Sequence, residues 1–233
     1  MAATMECGAA AVHDARVLTE PTDFCRLFLF RHPEIETTLQ GVAVGAGPAN
    51  LTRRGRQQVL TWIEWLSGIE VAVVWSSPQP QCQEAARALA QATEADLAID
   101  ERLRDQEMGR WQGRAWAEIV QQEDAAVRTF FSEFGDCAAP GGENLGQAVE
   151  RLLAWWYATQ KDGLGKSLAV VLPGSVLSGF TAAMLGMRLS RCVSLNLPHG
   201  GLGVLDVFGN GARIATWNVG ALPLPAGEPP SAP

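Results

Sequence analysis

The chain has 233 residues, 47% hydrophobic and 18% charged, which suits one full globular core and argues against a disordered or repeat chain. Its net charge of -7 excludes an extended nucleic-acid surface, which needs clustered Lys and Arg to neutralise phosphates, so any anion site must be a local positive pocket. The five cysteines, Cys7, Cys25, Cys82, Cys137 and Cys192, are scattered and form no CxxC pair, which points to reduced thiols of a cytoplasmic protein rather than to zinc or a dithiol.

In chain order, residues 1–24 carry the acids Glu6, Asp14 and Glu20 and no long apolar stretch, so they read as a flexible tail and not as a secretory signal. No apolar run reaches the length of a membrane span. Short runs rich in β-branched and aromatic residues predict strands at Arg26 to Phe30, Val71 to Trp75, Leu97 to Ile99, Ser167 to Leu172, Gly203 to Phe208 and Ile214 to Asn218. Between them lie helical patterns. Thr52 can cap a helix ending near Gly68, Pro78 or Pro80 suits the first turn of another, and further helices are expected around Trp116 to Phe134, Leu145 to about Thr159 and Val176 to Leu185. Strands separated by helices imply crossover connections, hence an α/β fold with a mainly parallel sheet covered on both faces. The stretch from Trp111 to Gly146 holds helices but no strand and is expected to cap one end of the sheet, where such lids set ligand choice. The fold is expected over residues 25–221, followed by a flexible Pro/Ala-rich tail at 222–233.

The first strand ends in Arg31-His32, a cation and an imidazole at a sheet's carboxyl edge, where ligands of open α/β folds bind. The order of motifs then matters more than any one of them. Arg31-His32-Pro33-Glu34 is followed by Asn50-Leu51-Thr52-Arg53-Arg54-Gly55, by Ser76-Ser77-Pro78, and by Arg104-Asp105 with Gly109-Arg110-Trp111-Gln112-Gly113. After these come Pro140-Gly141-Gly142-Glu143-Asn144, the strand ending at Leu172-Pro173-Gly174, and Leu197-Pro198-His199-Gly200.

This series resembles the histidine phosphatase superfamily, the phosphoglycerate mutase-like proteins, over about Arg26 to Phe208. The resemblance implies a histidine that attacks a phosphoryl group, two arginines and a second histidine around that group, and an acid that protonates the leaving oxygen. Carried over, His32 matches the nucleophile and Arg31 the first arginine, while Asp105 falls at the acid's position with Glu107 as a rival. Glu34, Gly142, Glu143 and Ser76-Ser77-Pro78 match recurrent positions, and Thr38 stands where a polar residue often asparagine is expected. The departures are severe. Gln81 replaces the second arginine, Pro173 replaces the second histidine, and Pro33 replaces a glycine.

Several residues could restore what is missing. His199 is either a turn residue beside two glycines or an imidazole supplied from a different backbone position; a ring separation from His32 above about 8 Å would decide against the second, since hydrogen-bond reach is about 3 Å. Arg110, and likewise Arg114, could return positive charge. The helix after Gly174, with free amides at Ser175 and Val176, could bind an anion. Arg53, Arg54 and Arg56 read as a solvated helix face, and Trp62, Trp65, Trp155 and Trp156 as core or interface.

The expected function is binding of a phosphorylated ligand, a small metabolite or a phosphoprotein, with little or no turnover. The alternative is a specialised phosphomonoesterase acting through phospho-His32. No metal or cofactor is expected, and a homodimer is compatible with the architecture.

Overall fold

The computed structural model describes residues 24–36, 38, 41–209 and 211–219; the two tails expected at the ends, apart from Phe24, lie outside them. Six strands form one sheet: β1 (Cys25–Arg31), β2 (Val73–Ser76), β3 (Asp96–Ile99), β4 (Ser167–Leu172), β5 (Leu202–Phe208) and β6 (Gly211–Val219). Their order across the sheet is β3-β2-β4-β1-β5-β6. The β3-β2, β2-β4 and β4-β1 pairings are parallel, whereas β5 runs antiparallel to β1 and β6 to β5.

Strand period explains the two cores. Leu27 and Leu29 face one side of β1 and meet Leu168, Val170 and Leu172 of β4, under α4 (Leu145–Gly163) and α5 (Gly174–Met184). Phe28 and Phe30 face the other side and meet Val74, Ala169 and Val171, under α1 (Arg53–Trp65) and α2 (Pro80–Thr93). β1 therefore leads into a helix on one face while its neighbour β4 leads into a helix on the other. Such divergence opens a crevice at the strands' carboxyl ends.

Local chemistry sets the helix starts. The Thr52 hydroxyl accepts from the Gly55 amide at 2.9 Å, and Pro80 occupies the first turn of α2, where its missing N–H costs nothing. Asn144 and Gln147 form a reciprocal capping box at the head of α4. The expected cap is α3 (Trp116–Ser132), which packs its own small core of Trp111, Ile119, Val127 and Phe130 with Ala43 and Met108. α3 is kinked at Glu123, whose carboxylate accepts from Trp111 Nε1 at 3.0 Å and from Arg114 at 2.9 Å. Among the described residues no helix is long and apolar enough to cross a membrane.

Candidate active site

β1 ends between two other segments. The His32 amide donates to the carbonyl of Leu172, the last residue of β4, at 2.9 Å, and the Arg31 amide donates to Gly201 O at 3.0 Å. The turn Pro198 to Gly201 thus lies against the Arg31-His32 backbone, and the Gly200 amide points at the carbonyls of both residues, each 3.2 Å away. Gly200 has φ +74°, and a Cβ there would meet the Gln58 amide at 2.6 Å, so only glycine fits this turn.

The turn brings His199 beside His32. Their ring centroids are 4.8 Å apart at an interplanar angle of 55°. His32 Nδ1 lies 2.9 Å from the Pro33 carbonyl, so this nitrogen carries the proton and Nε2 keeps its lone pair. His199 Nε2 lies 3.2 Å from Arg31 Nη2; a guanidinium can only donate, so this nitrogen accepts, and the proton sits on Nδ1, 3.4 Å from the His32 carbonyl. The His199 ring is therefore neutral. Burial, with His199 and Arg31 alongside, pushes the His32 imidazole down to about 3. Burial and the Arg31 charge push His199 down to about 4.

Arg31 is the cation of this cluster. Its Nη1 donates to Asn196 Oδ1 at 3.0 Å and to Leu197 O at 2.6 Å, while Nε is buried without a hydrogen-bond partner among the described residues. The guanidinium lies flat on Gly174, where a Cβ would come within 2.7 Å of Nε. Burial works against its charge and Asp105 supports it.

Asp105 reaches the same place from the loop after β3. Its carboxylate is hydrogen-bonded to the Ser175 hydroxyl, in the first turn of α5, and accepts from the Gln106 amide at 2.9 Å. Burial raises its pKa, opposed by the bonds from Ser175 and Gln106 and by the charges of Arg31 and Arg151. The rival Glu107 is half exposed and pairs with Arg104 at 3.4 Å, out of this cluster.

Other expected site residues fall elsewhere. Gln81 is buried and its carbonyl oxygen accepts from the Ala49 amide at 3.1 Å, so its structural partner is the loop before α1. Thr38 is exposed. Arg110 is exposed and faces Glu123 at 3.7 Å, away from the hydrogen bonds of the cluster. Arg114 is likewise drawn to Glu123 and Glu118. Trp62 and Trp155 are fully buried in the core, and Trp62 Nε1 also donates to Gly200 O at 2.7 Å.

Four positioning residues were not anticipated. Gln58 joins the two histidine segments, accepting from the Glu34 amide at 2.8 Å and donating to His199 O at 2.8 Å. Asn196 holds the Arg31 guanidinium. Gln79 accepts from the Asp105 amide at 3.0 Å and donates to Gly45 O and Gly47 O. Arg151 donates to the carbonyls of Arg102, Arg104 and Asp105 and pairs with Glu143, fixing the loop that carries Asp105. Only Gln79 carried a positional signal, standing just before Pro80 at the start of α2; Gln58 and Arg151 lie inside α1 and α4, and Asn196 lies in the loop before β5. Among the described residues no cluster of three or more His, Cys, Asp or Glu could hold a metal ion.

An α/β sheet with an Arg-His strand end, a neighbouring imidazole and a half-buried carboxylate defines a class, and the comparisons agree. Residues 27–220 match the model of the histidine phosphatase superfamily (branch 1), and the chain belongs to that superfamily. Among its relatives is Phosphoserine phosphatase 1 of Hydrogenobacter thermophilus, 24% identical over 78% of this chain and 86% of that protein. Another is the "Probable phosphoglycerate mutase GpmB" of Salmonella choleraesuis, 25% identical over 70% of this chain and 75% of that protein. The crystal structure of the alpha-ribazole phosphatase from Shigella flexneri shares the fold, with a TM-score of 0.74 and 23% identity, covering 83% of this chain and 96% of that one.

Proposed function

We propose that the cleft at His32 holds the phosphoryl group of a small phosphorylated metabolite or a phosphoprotein and turns it over slowly or not at all. The observation that carries this reading is the state of Arg31. It is the one guanidinium within hydrogen-bond reach of either histidine of the cluster among the described residues, and it already binds Asn196, Leu197 O and His199. Phosphoryl transfer needs three equatorial oxygens neutralised in place. One committed arginine, a neutral Gln81 and the donor-free Pro173 supply that poorly, whereas the first amides of α5 and the unpartnered Arg31 Nε still favour an anion. Losing one preorganised donor costs roughly 10²- to 10³-fold in rate, and losing an acid-base partner roughly 10²- to 10⁴-fold.

A second reading rests on the Nδ1 contact of His32 with Pro33 O. It leaves Nε2 free to attack phosphorus; the ester P–O bond would break as the P–N bond forms, with the proton for the leaving oxygen coming from the neutral form of Asp105 that burial favours. Water would then release phosphate from His32 and return a proton to Asp105.

The two readings separate in one experiment. Phosphate release from a panel of phosphomonoesters is followed between pH 5 and 8 for the parent and His32→Ala, beside calorimetric binding of inorganic phosphate. The expected result is phosphate binding with release at the mutant's background. Release at ordinary enzyme rates, about 10 s⁻¹, that vanishes in His32→Ala overturns the first reading in favour of the second.

A further inference from the structure

The contact between Arg31 and His199 has a chemical consequence, and it rests on the phosphoryl-site reading above. Arg31 Nη2 and His199 Nε2 are 3.2 Å apart, and on the ring's other side Nδ1 faces the His32 carbonyl at 3.4 Å. Gln58 fixes the His199 backbone through its carbonyl, so the ring starts from a set position beside His32. Nη1 stays on Asn196 and Leu197 O, while Nη2 has His199 as its one partner among the described residues and Nε has none, so Nη2 and Nε are the groups a ligand can claim. β4 ends beside His32 in Pro173, which has neither charge nor N–H, so His199 is the one side chain besides Arg31 shown next to His32 that can become a charged donor.

We propose that His199 is a proton-linked phosphoryl-binding residue: when a tetrahedral dianion enters beside His32, Arg31 exchanges His199 Nε2 for an oxygen of the ligand, and the freed Nε2 takes one proton from solvent and donates it in a hydrogen bond to a second oxygen. One proton is taken up for each dianion bound, and no other bond changes. The imidazole is thus supplied from the turn before β5 and is held as a neutral acceptor until the ligand arrives. The charged and titratable groups bearing on it are Arg31 at the end of β1, His32 beside it, and Asp105 acting through Arg31; Gln58 of α1 and Asn196 do not titrate.

The sign of the pH dependence follows. In the free protein burial and Arg31 hold His199 neutral down to about 4. Bound dianion favours the imidazolium, so affinity is highest at low pH and falls as pH rises through the bound-state pKa, by up to about tenfold per pH unit for one linked proton.

Sulfate is the probe, because it stays a dianion from pH 5 to 8 and its own titration adds no slope. The imidazole carbon-bound protons of the parent, assigned with His13→Gln, His32→Gln and His199→Gln, are followed by NMR against pH with and without sulfate, and sulfate affinity is read from the same spectra. The expected result is a rise of at least one unit in the His199 pKa on adding sulfate, an affinity that falls with pH in the parent, and weaker, pH-independent binding in His199→Gln. Sulfate that perturbs His32 while the His199 pKa stays unmoved overturns this proposal and leaves the phosphoryl site standing. Sulfate that perturbs neither ring at any pH overturns both. The parent's own titration decides even if His199→Gln does not fold.

Discussion

At the scale of single residues, Pro173 is the most consequential departure in the cleft. It follows the Leu172 carbonyl that binds the His32 amide, so its side chain sits beside the candidate nucleophile, and it caps α5 at φ -64° and ψ 154°, a conformation open to any residue. Proline is thus not required there by the backbone. Replacing it with histidine adds a donor beside His32 without a backbone cost, and Pro173→His is expected to raise phosphate release by about 10²-fold or more. A folded variant that binds phosphate and releases no more than the parent would place the deficit at Gln81 instead. The same logic explains why Gln81 is harder to reverse. It is buried, its carbonyl oxygen holds the Ala49 amide, and an arginine there would bring in a charge while losing that bond.

At the scale of elements, the site is made by strand ends and by helix side chains that clamp loops. Arg151 of α4 is the clearest case: its guanidinium and the Glu143 carboxylate are each only 14% exposed, and it binds the carbonyls of Arg102, Arg104 and Asp105. Removing one partner of so buried a pair leaves an uncompensated charge, which costs roughly 3–5 kcal/mol. Arg151→Met is expected to lose stability of that order in urea unfolding; a change below about 1 kcal/mol would mean that solvent already screens the pair. Gly55 makes a second clamp, since a Cβ there would lie 2.3 Å from Glu34 O, two residues past His32. Gly55→Ala is therefore expected to cost about 1–3 kcal/mol in the same assay and to shift the His32 signals, as overpacking against backbone does. The elements themselves were legible because each short β-branched run is bounded by turn residues, and Thr52 and Pro80 mark their helices by chemistry that acts within three residues. Asp105 and His199 were legible as candidates because the motif order placed them. The clamps were not: Gln58, Gln79, Asn196 and Arg151 act on groups from 24 to 165 positions away, and an amide or guanidinium that binds distant groups leaves no period in the sequence. Arg110 was misplaced for the opposite reason. Its neighbourhood in sequence is the cleft loop, but its exposed side chain faces Glu123 of α3.

At the scale of the whole molecule, two neutral imidazoles at the edge of a sheet, His32 buried and His199 half-buried, couple the site to folding. His32 and His199 are pushed down to about 3 and about 4, against about 6.5 in an unfolded chain. Between those values the unfolded chain binds more protons, so stability rises with pH and is complete above about 6.5. Asp105 works in the other direction: its raised pKa lets the folded chain keep a proton that the unfolded chain has released, so its contribution is lost as pH rises through the folded value. Two imidazoles against one carboxyl leave the excess of bound protons with the unfolded state near pH 5, and that excess shrinks as the unfolded imidazoles discharge toward pH 6.5. The urea midpoint is therefore expected to climb from pH 4.5 to 6.5, with a slope of about 1.4 kcal/mol per pH unit for each net proton, and to level off by pH 7.5. His199→Gln removes one of the two imidazoles and should make that climb shallower without moving the plateau pH. A midpoint that is flat over this range in the parent would mean that the histidine pair is hydrated and free to charge in the folded protein, and the neutral Nδ1–H tautomers assigned to both rings would fall with it.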